Sequence, residues 1–267
     1  MKKNYNTADA EWEWYIGQLY YQLIKNLYKK KINCVVELAP GFRHKIADAL
    51  KEINFDGVIY VIDYSNDVLN YIKSKYEEIL PNAKVICINK KFEESLDLIP
   101  KNIDLFLSNH SIDDLIISSY SNEEYNEESN NELLYNDLLI LWEKLYHDSS
   151  SIKKITSEIV QIFNELFTNK NIGLVIMSQY KSNSYFLGKS NYMDEIIENC
   201  FNDIKILTDT DDTLINKLLN FYPFGKDDER YNGKYLTDNT QNASHWIAGV
   251  VNEKICAKNS KNSKEVL

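Results

Sequence analysis

Residues 35–45 read VVELAPGFRHK. An apolar run ends in an acid, Glu37, a tight Pro-Gly turn follows, and a helix start comes after it. Strand, turn and helix in that order open a βαβ unit, and the connecting loop is where such units hold nucleotides. A dinucleotide loop uses GxGxxG so that its backbone can approach a pyrophosphate. Here Ala39, Gly41 and His44 occupy that spacing, so one glycine of three is present. The loop therefore suits a ligand without phosphate.

Outward from this stretch, strands and helices alternate. Residues 9–29 place apolar or aromatic side chains at Trp12, Tyr15, Ile16, Leu19, Tyr20, Leu23, Ile24 and Leu27, which is helical spacing. Cys34–Leu38 reads as a first strand, and a helix is predicted over 43–52. VIYVID (58–63), KVICIN (84–89), IDLFLS (103–108) and GLVIMS (173–178) read as strands two to five. They are continuously apolar, as strands covered on both faces are. Ser65 is expected to cap a helix running to about residue 78. The polar stretch 121–131 reads as a mobile loop, followed by helices over about 132–147 and 152–168. YMDEIIENCF (192–201) reads as a helix, and IKIL (204–207) and HWIAGVV (245–251) as closing strands. The expectation is an α/β fold: a doubly wound, mostly parallel seven-stranded sheet. It carries an N-terminal helical cap (1–30), a main domain (31–256) with a helical insertion at about 121–170 between strands four and five, and a disordered tail (257–267).

The 267 residues carry 30 Lys+Arg against 40 Asp+Glu, a formal charge of −10. Such a surface repels polyphosphate and anionic lipid at long range, so neither nucleic acid nor a membrane is the expected partner. Cys34, Cys87, Cys200 and Cys256 form no CxxC pair, so they read as free thiols of a reducing, cytoplasmic compartment. The N-terminal residues contain no apolar signal-peptide core, and no run of apolar residues is long enough to span a bilayer. His44, His147 and His245 have no partners at ligand spacing, so no metal is expected.

In a doubly wound sheet the ligand lies beyond the C-terminal strand ends. Those ends carry Glu37 to Gly41, Asp63, Asn89 to Phe92, and Ser108 to Asp114. Asp63 suits a ribose, since a carboxylate can accept from two vicinal hydroxyls. VVELAPGF (35–42) resembles the first motif of class I S-adenosylmethionine-dependent methyltransferases, an acid followed by Leu-Gly-Pro-Gly-Thr-Gly. VIDYSNDVL (61–69) is similar to the second motif of that superfamily, and NIDLFLSNHSIDDL (102–115) to its fourth-strand motif. The resemblance is close over 33–118 and extends by strand order to about 252.

It implies S-adenosylmethionine as cofactor and a small-molecule or peptide methyl acceptor. Glu37 and the turn of Ala39, Pro40 and Gly41 would lie by the methionine part, Asp63 on the ribose hydroxyls, and Tyr64 and Phe92 on either side of the adenine. Asn109 and His110 would lie near the sulfonium and the incoming nucleophile. Three positions depart from the family: Ala39 replaces its first glycine, Arg43 sits where a third often lies, and Lys91 stands where many members carry an acid.

Other readings stand beside these roles. His110 is a general base, a substrate hydrogen-bond donor or a plain loop histidine. Asp113 and Asp114 read first as helix-start acids. The stripe of Trp12, Trp14, Tyr15 and Tyr20 is core or, through Trp14 and Tyr15, a lid on the substrate, and Tyr180 or Tyr185 lines the acceptor site or fills a loop. Aminopropyl or aminocarboxypropyl transfer, a non-catalytic partner protein and a nicotinamide oxidoreductase are the rival functions, the last disfavoured by the broken glycine pattern.

Overall fold

The computed structural model describes residues 7–121, 131–179, 192–221 and 245–256. The elements run α1 (Thr7–Leu27), β1 (Cys34–Leu38), α2 (Lys45–Glu52), β2 (Val58–Asp63), α3 (Asn66–Ile79), β3 (Lys84–Asn89), α4 (Phe92–Ser95), β4 (Asn102–Asn109) and α5 (Ile112–Ser121). They continue as α6 (Asn131–Tyr146), α7 (Ser149–Asn169), β5 (Asn171–Gln179), α8 (Tyr192–Lys205), β6 (Thr208–Thr210), α9 (Asp212–Phe221) and β7 (His245–Val251). One seven-stranded sheet forms in the order β3-β2-β1-β4-β5-β7-β6. Strand β7 is antiparallel to both neighbours, and the pairings among β1 to β5 are parallel. This is the doubly wound, mostly parallel α/β architecture expected from the strand runs.

Strand alternation explains why those runs are apolar throughout. Val35, Ile59, Val61, Leu105, Leu107, Leu174 and Ile176 face a layer built from α1, α2, α3 and α9. Val36, Leu38, Ile62, Phe106, Val175 and Met177 face the opposite layer, from α4 to α8. Each face is buried, so neither register of a strand is polar.

The expected N-terminal cap is, in its described part, a helix of the first layer. Tyr15, Ile16, Leu19, Tyr20, Leu23 and Ile24 are buried there. Three contacts give its direction: Arg43 Nη1 meets Glu13 Oε1 at 2.6 Å, Tyr20 Oη donates to the Ser108 carbonyl at 2.5 Å, and Tyr28 Oη donates to Asp104 Oδ1 at 2.5 Å. Helix α1 therefore descends from the C-terminal ends of the strands to their N-terminal ends. Its crossing of α2 is close at Gly17, where an added Cβ would lie 3.0 Å from the Lys45 carbonyl oxygen.

The described part of the insertion between β4 and β5 comprises α6 and α7, which with α5 form much of the second layer. One expectation fails. IKIL is not a strand: Ile204 ends the helical series Ile197, Cys200 and Phe201, all buried, so α8 continues to Lys205 and β6 follows as Thr208–Thr210. An i, i+3, i+4, i+7 series outweighs four apolar-rich residues read alone. The expected mobile loop (in its residues 122–130), the tail 257–267, Tyr180 and Tyr185 lie outside the described residues. No helix among the described residues is long and apolar enough to cross a membrane.

Candidate active site

The C-terminal ends of β1 and β2 bring two carboxyl groups to the same face of the sheet. Glu37 is 2% exposed and Asp63 7%. Tyr76, reaching in from α3, donates its hydroxyl to Glu37 Oε2 at 2.7 Å. Burial pushes the Glu37 carboxyl up to about 8; the Tyr76 hydrogen bond opposes this and the neighbouring Asp63 adds to it. Near neutral pH Glu37 is thus held largely as the acid. Asp63 uses Oδ1 to accept from the Ser65 amide at 2.8 Å, which orients its carboxyl group. Ser65 in turn caps α3, its hydroxyl accepting from the Val68 amide at 3.4 Å. Asn89, paired with Asp63 across the sheet, donates to the Tyr64 carbonyl at 2.7 Å and fixes the turn after β2.

The turn after β1 is left-handed twice, at Ala39 (φ 47°) and Gly41 (φ 56°). The Ala39 amide donates to the Ile62 carbonyl at 2.8 Å, which ties the turn to β2. A Cβ built on Gly41 meets nothing within 4 Å, so the turn opens to space there. An L residue at positive φ brings Cβ against its own carbonyl, at a cost of roughly 1–2 kcal/mol. Ala39→Gly removes that strain and gives back part of the gain as chain entropy. The expected result is a net gain of up to about 1 kcal/mol, a rise in Tm of roughly 2–4 °C. A fall in Tm on thermal melting would show that packing of the Ala39 methyl outweighs the strain.

The loop then closes on α1. Glu13, buried in the second described turn of that helix, takes Arg43 Nη1 at 2.6 Å and has His44 Nε2 at 3.7 Å. The other ring nitrogen of His44 meets Asp48 Oδ2 at 2.9 Å, and this contact raises the imidazole above its ordinary range. Burial pulls Lys45 down to about 7, with Glu13 opposing. Arg43 therefore points to the N-terminal helix.

At the ends of β4 and β5 a second group assembles. Ser178 Oγ donates to Asn109 Oδ1 at 3.1 Å and lies 3.0 Å from the Tyr20 hydroxyl. His110 is left-handed (φ 58°), and its amide donates to the Ser178 carbonyl at 2.7 Å. Its Nδ1 lies 2.8 Å from Gln179 Nε2, and its Nε2 lies 3.3 Å from Asp113 Oδ2. Both ring nitrogens of His110 thus face protein partners. Asp113 lies in the first turn of α5, as expected of a helix-start acid, and is also buried against His110 and Gln179.

The structure thus gathers Glu37, Ala39, Pro40, Gly41, Asp63, Tyr64, Asn109 and His110 at one edge of the sheet. Phe92 is a correction: it is 3% exposed, its ring centroid 5.0 Å from Phe163 and 6.3 Å from Phe106, so it packs the core and not an adenine. The aromatic stripe divides, with Tyr15 and Tyr20 buried in the core and Trp14 58% exposed. Tyr15 is therefore core and no substrate wall, and burial raises its phenol to about 12. Sequence reasoning missed Glu13, Tyr76 and Gln179. Only Gln179 carried a sequence signal, as a polar residue directly after an apolar strand run. Among the described residues no group of three or more metal-ligating side chains gathers.

No protein-family model matches the chain, and no curated protein matches it. Solved structures do overlap with it. One is the StiE O-MT, at 11% identity and a TM-score of 0.43, over 93% of this chain and 80% of that one. Another is spermidine synthase in complex with the transition-state analogue AdoDATO, at 7% identity and 0.40, over 73% of this chain and 50% of that one. A third is TrmN from Thermus thermophilus, at 10% identity and 0.35, over 61% of this chain and 38% of that one. The chain thus spans well under two thirds of the length of TrmN. All three TM-scores lie below 0.5, so the functional reading rests on this chain's own residues.

Proposed function

We propose that the chain binds S-adenosylmethionine along the C-terminal edge of the sheet and transfers a methyl group to a small-molecule or peptide acceptor. One observation carries the reading. Two buried carboxyl groups, Glu37 and Asp63, end adjacent parallel strands on one face, and a doubly left-handed turn beside them opens to space at Gly41. The loop after β1 carries one glycine of the three that a pyrophosphate loop uses, while a carboxylate oriented by the Ser65 amide suits a ribose diol.

When bound, the cofactor supplies an already activated methyl carbon. The protein's part is then alignment and exclusion of water, and alignment alone is worth roughly 7–11 kcal/mol in favourable cases. Asp63 accepts from the ribose hydroxyls, Tyr64 flanks the adenine, and Glu37 with the Ala39–Gly41 backbone borders the amino-acid end. Asn109, held by Ser178, stands beside the reacting centre, and His110 borders the acceptor. Trp14, exposed at the same end of α1, is the remaining aromatic candidate for the acceptor side among the described residues.

Calorimetric titration of S-adenosylmethionine into the parent and Asp63→Ala tests this. Loss of a hydrogen bond to a charged acceptor costs roughly 1.5–3 kcal/mol, so the variant should bind about 10–150-fold more weakly. A folded parent that takes up no heat would overturn the reading, and a non-catalytic partner protein would then lead. Equal affinity of parent and variant would remove Asp63 from the ribose.

A further inference from the structure

We infer that Gln179 is a positioning residue that fixes His110 as its neutral Nε2–H tautomer, with Nδ1 as a hydrogen-bond acceptor. The role of that tautomer in methyl transfer rests on the function proposed above; the tautomer itself does not.

Gln179 is fully buried. Its Oε1 accepts from the Ile112 amide at 3.1 Å, and its Nε2 lies 3.0 Å from Asp113 Oδ1 and 2.8 Å from His110 Nδ1. Two of these contacts set the orientation of the amide. The Ile112 N–H needs an oxygen opposite it, and the Asp113 carboxylate needs an N–H. Reversing the amide would set donor against donor and acceptor against acceptor at a fully buried side chain, an arrangement that buried polar groups avoid. Both hydrogens of Gln179 Nε2 are then committed, one to Asp113 and one to His110. A donor facing Nδ1 requires the imidazole lone pair there. The ring hydrogen therefore resides on Nε2, directed toward Asp113 Oδ2 at 3.3 Å.

The backbone supports the same arrangement. His110 sits at φ 58°, and its amide is tied to the Ser178 carbonyl. Strand β5 thus places two consecutive residues under two consecutive candidates: Ser178 holds Asn109 and Gln179 holds His110. A proton on Nδ1 would face the Gln179 N–H, so the Nδ1 lone pair is engaged by Gln179 and not turned toward an acceptor.

The test is long-range proton–nitrogen NMR on the full chain labelled with 15N, at a pH above the ordinary histidine range. His110 is assigned by the signal that His110→Asn removes, and His44, His147 and His245 report on the integrity of the fold. In the parent, the ring proton couplings should identify Nδ1 as the bare nitrogen and Nε2 as the protonated one. Gln179→Glu sets a carboxylate against Nδ1 and should move the proton to Nδ1. Gln179→Leu removes the donor and should give a mixture of tautomers. A parent with Nδ1–H or a mixture overturns the inference, and so does Gln179→Glu with an unchanged pattern and intact signals from the other histidines. The parent spectrum decides even where a variant fails to fold. S-Adenosylmethionine plays no part in this measurement, so its outcome is separate from that of the calorimetric test.

Discussion

Glu37→Gln should flatten the pH dependence of stability between about pH 4.5 and 8, and the variant should be the more stable protein at pH 8. The Glu37 carboxyl moves from its ordinary 4.5 in the unfolded chain to about 8 in the fold, chiefly through burial. Across that window the folded state holds a proton that the unfolded state has released, so stability falls as pH rises. Below pH 4.5 the acid is neutral in both states and its contribution is complete; above 8 it is ionised in both and the loss is complete. Each pH step costs roughly 1.4 kcal/mol, so the loss is on the order of 3 kcal/mol by pH 7 and 4–5 by pH 8. Glutamine keeps an oxygen for the Tyr76 hydroxyl and has nothing to ionise. Urea unfolding of both proteins at pH 5, 6.5 and 8 measures the difference directly. Parallel slopes for parent and variant would show that water or a rearrangement reaches Glu37 when it ionises. The same chemistry bears on function. A cationic ligand group arriving beside Glu37 favours the carboxylate, so binding at pH 7 should release a proton, visible as a dependence of calorimetric heat on the buffer.

What the sequence revealed and what it concealed divide along a physical line. Val35 and Val36 face opposite layers, yet both are apolar, and that is why β1 to β5 could be read as continuous runs without knowing which face was which. The Ser65 cap was legible because a cap is local, acting on an amide three residues away. Glu37 and Asp63 were legible as strand-end acids. Their partners were not: Tyr76 lies 39 residues from Glu37, and its place in the series Val68, Leu69, Ile72 reads as core, which its ring is. Gln179 meets His110 across 69 residues, a pairing that only the β4–β5 register brings about. Ala39 concealed the left-handed turn, because alanine carries no mark of positive φ as glycine does. Phe92 misled for a related reason. An aromatic just after a strand end serves a pocket or a core equally well, and the choice depends on whether other rings wait behind it.

Those rings make the second large effect. Phe163→Ala should cost about 3–5 kcal/mol, the usual range for removing a fully buried phenylalanine. Phe163 is wholly enclosed, with ring centroids 5.0 Å from Phe92, 6.2 Å from Phe106 and 5.9 Å from Phe167. Removing it opens a cavity between β4, α4 and α7, and three rings lose an edge or face partner, each pair worth roughly 0.5–1.5 kcal/mol beyond its buried area. By the same reasoning α7 is part of the fold's core: it closes the second layer over Phe106. Thermal and denaturant unfolding should show one cooperative transition lowered by roughly 6–20 °C. A loss below 1 kcal/mol, or an early separate transition for the insertion, would make α6 and α7 a detachable excursion. Phe92→Leu keeps most of the volume and should cost less than about 1.5 kcal/mol. With Phe92 in the core, that variant should bind S-adenosylmethionine as the parent does, within about twofold. A selective loss of cofactor affinity with stability unchanged would return Phe92 to the adenine.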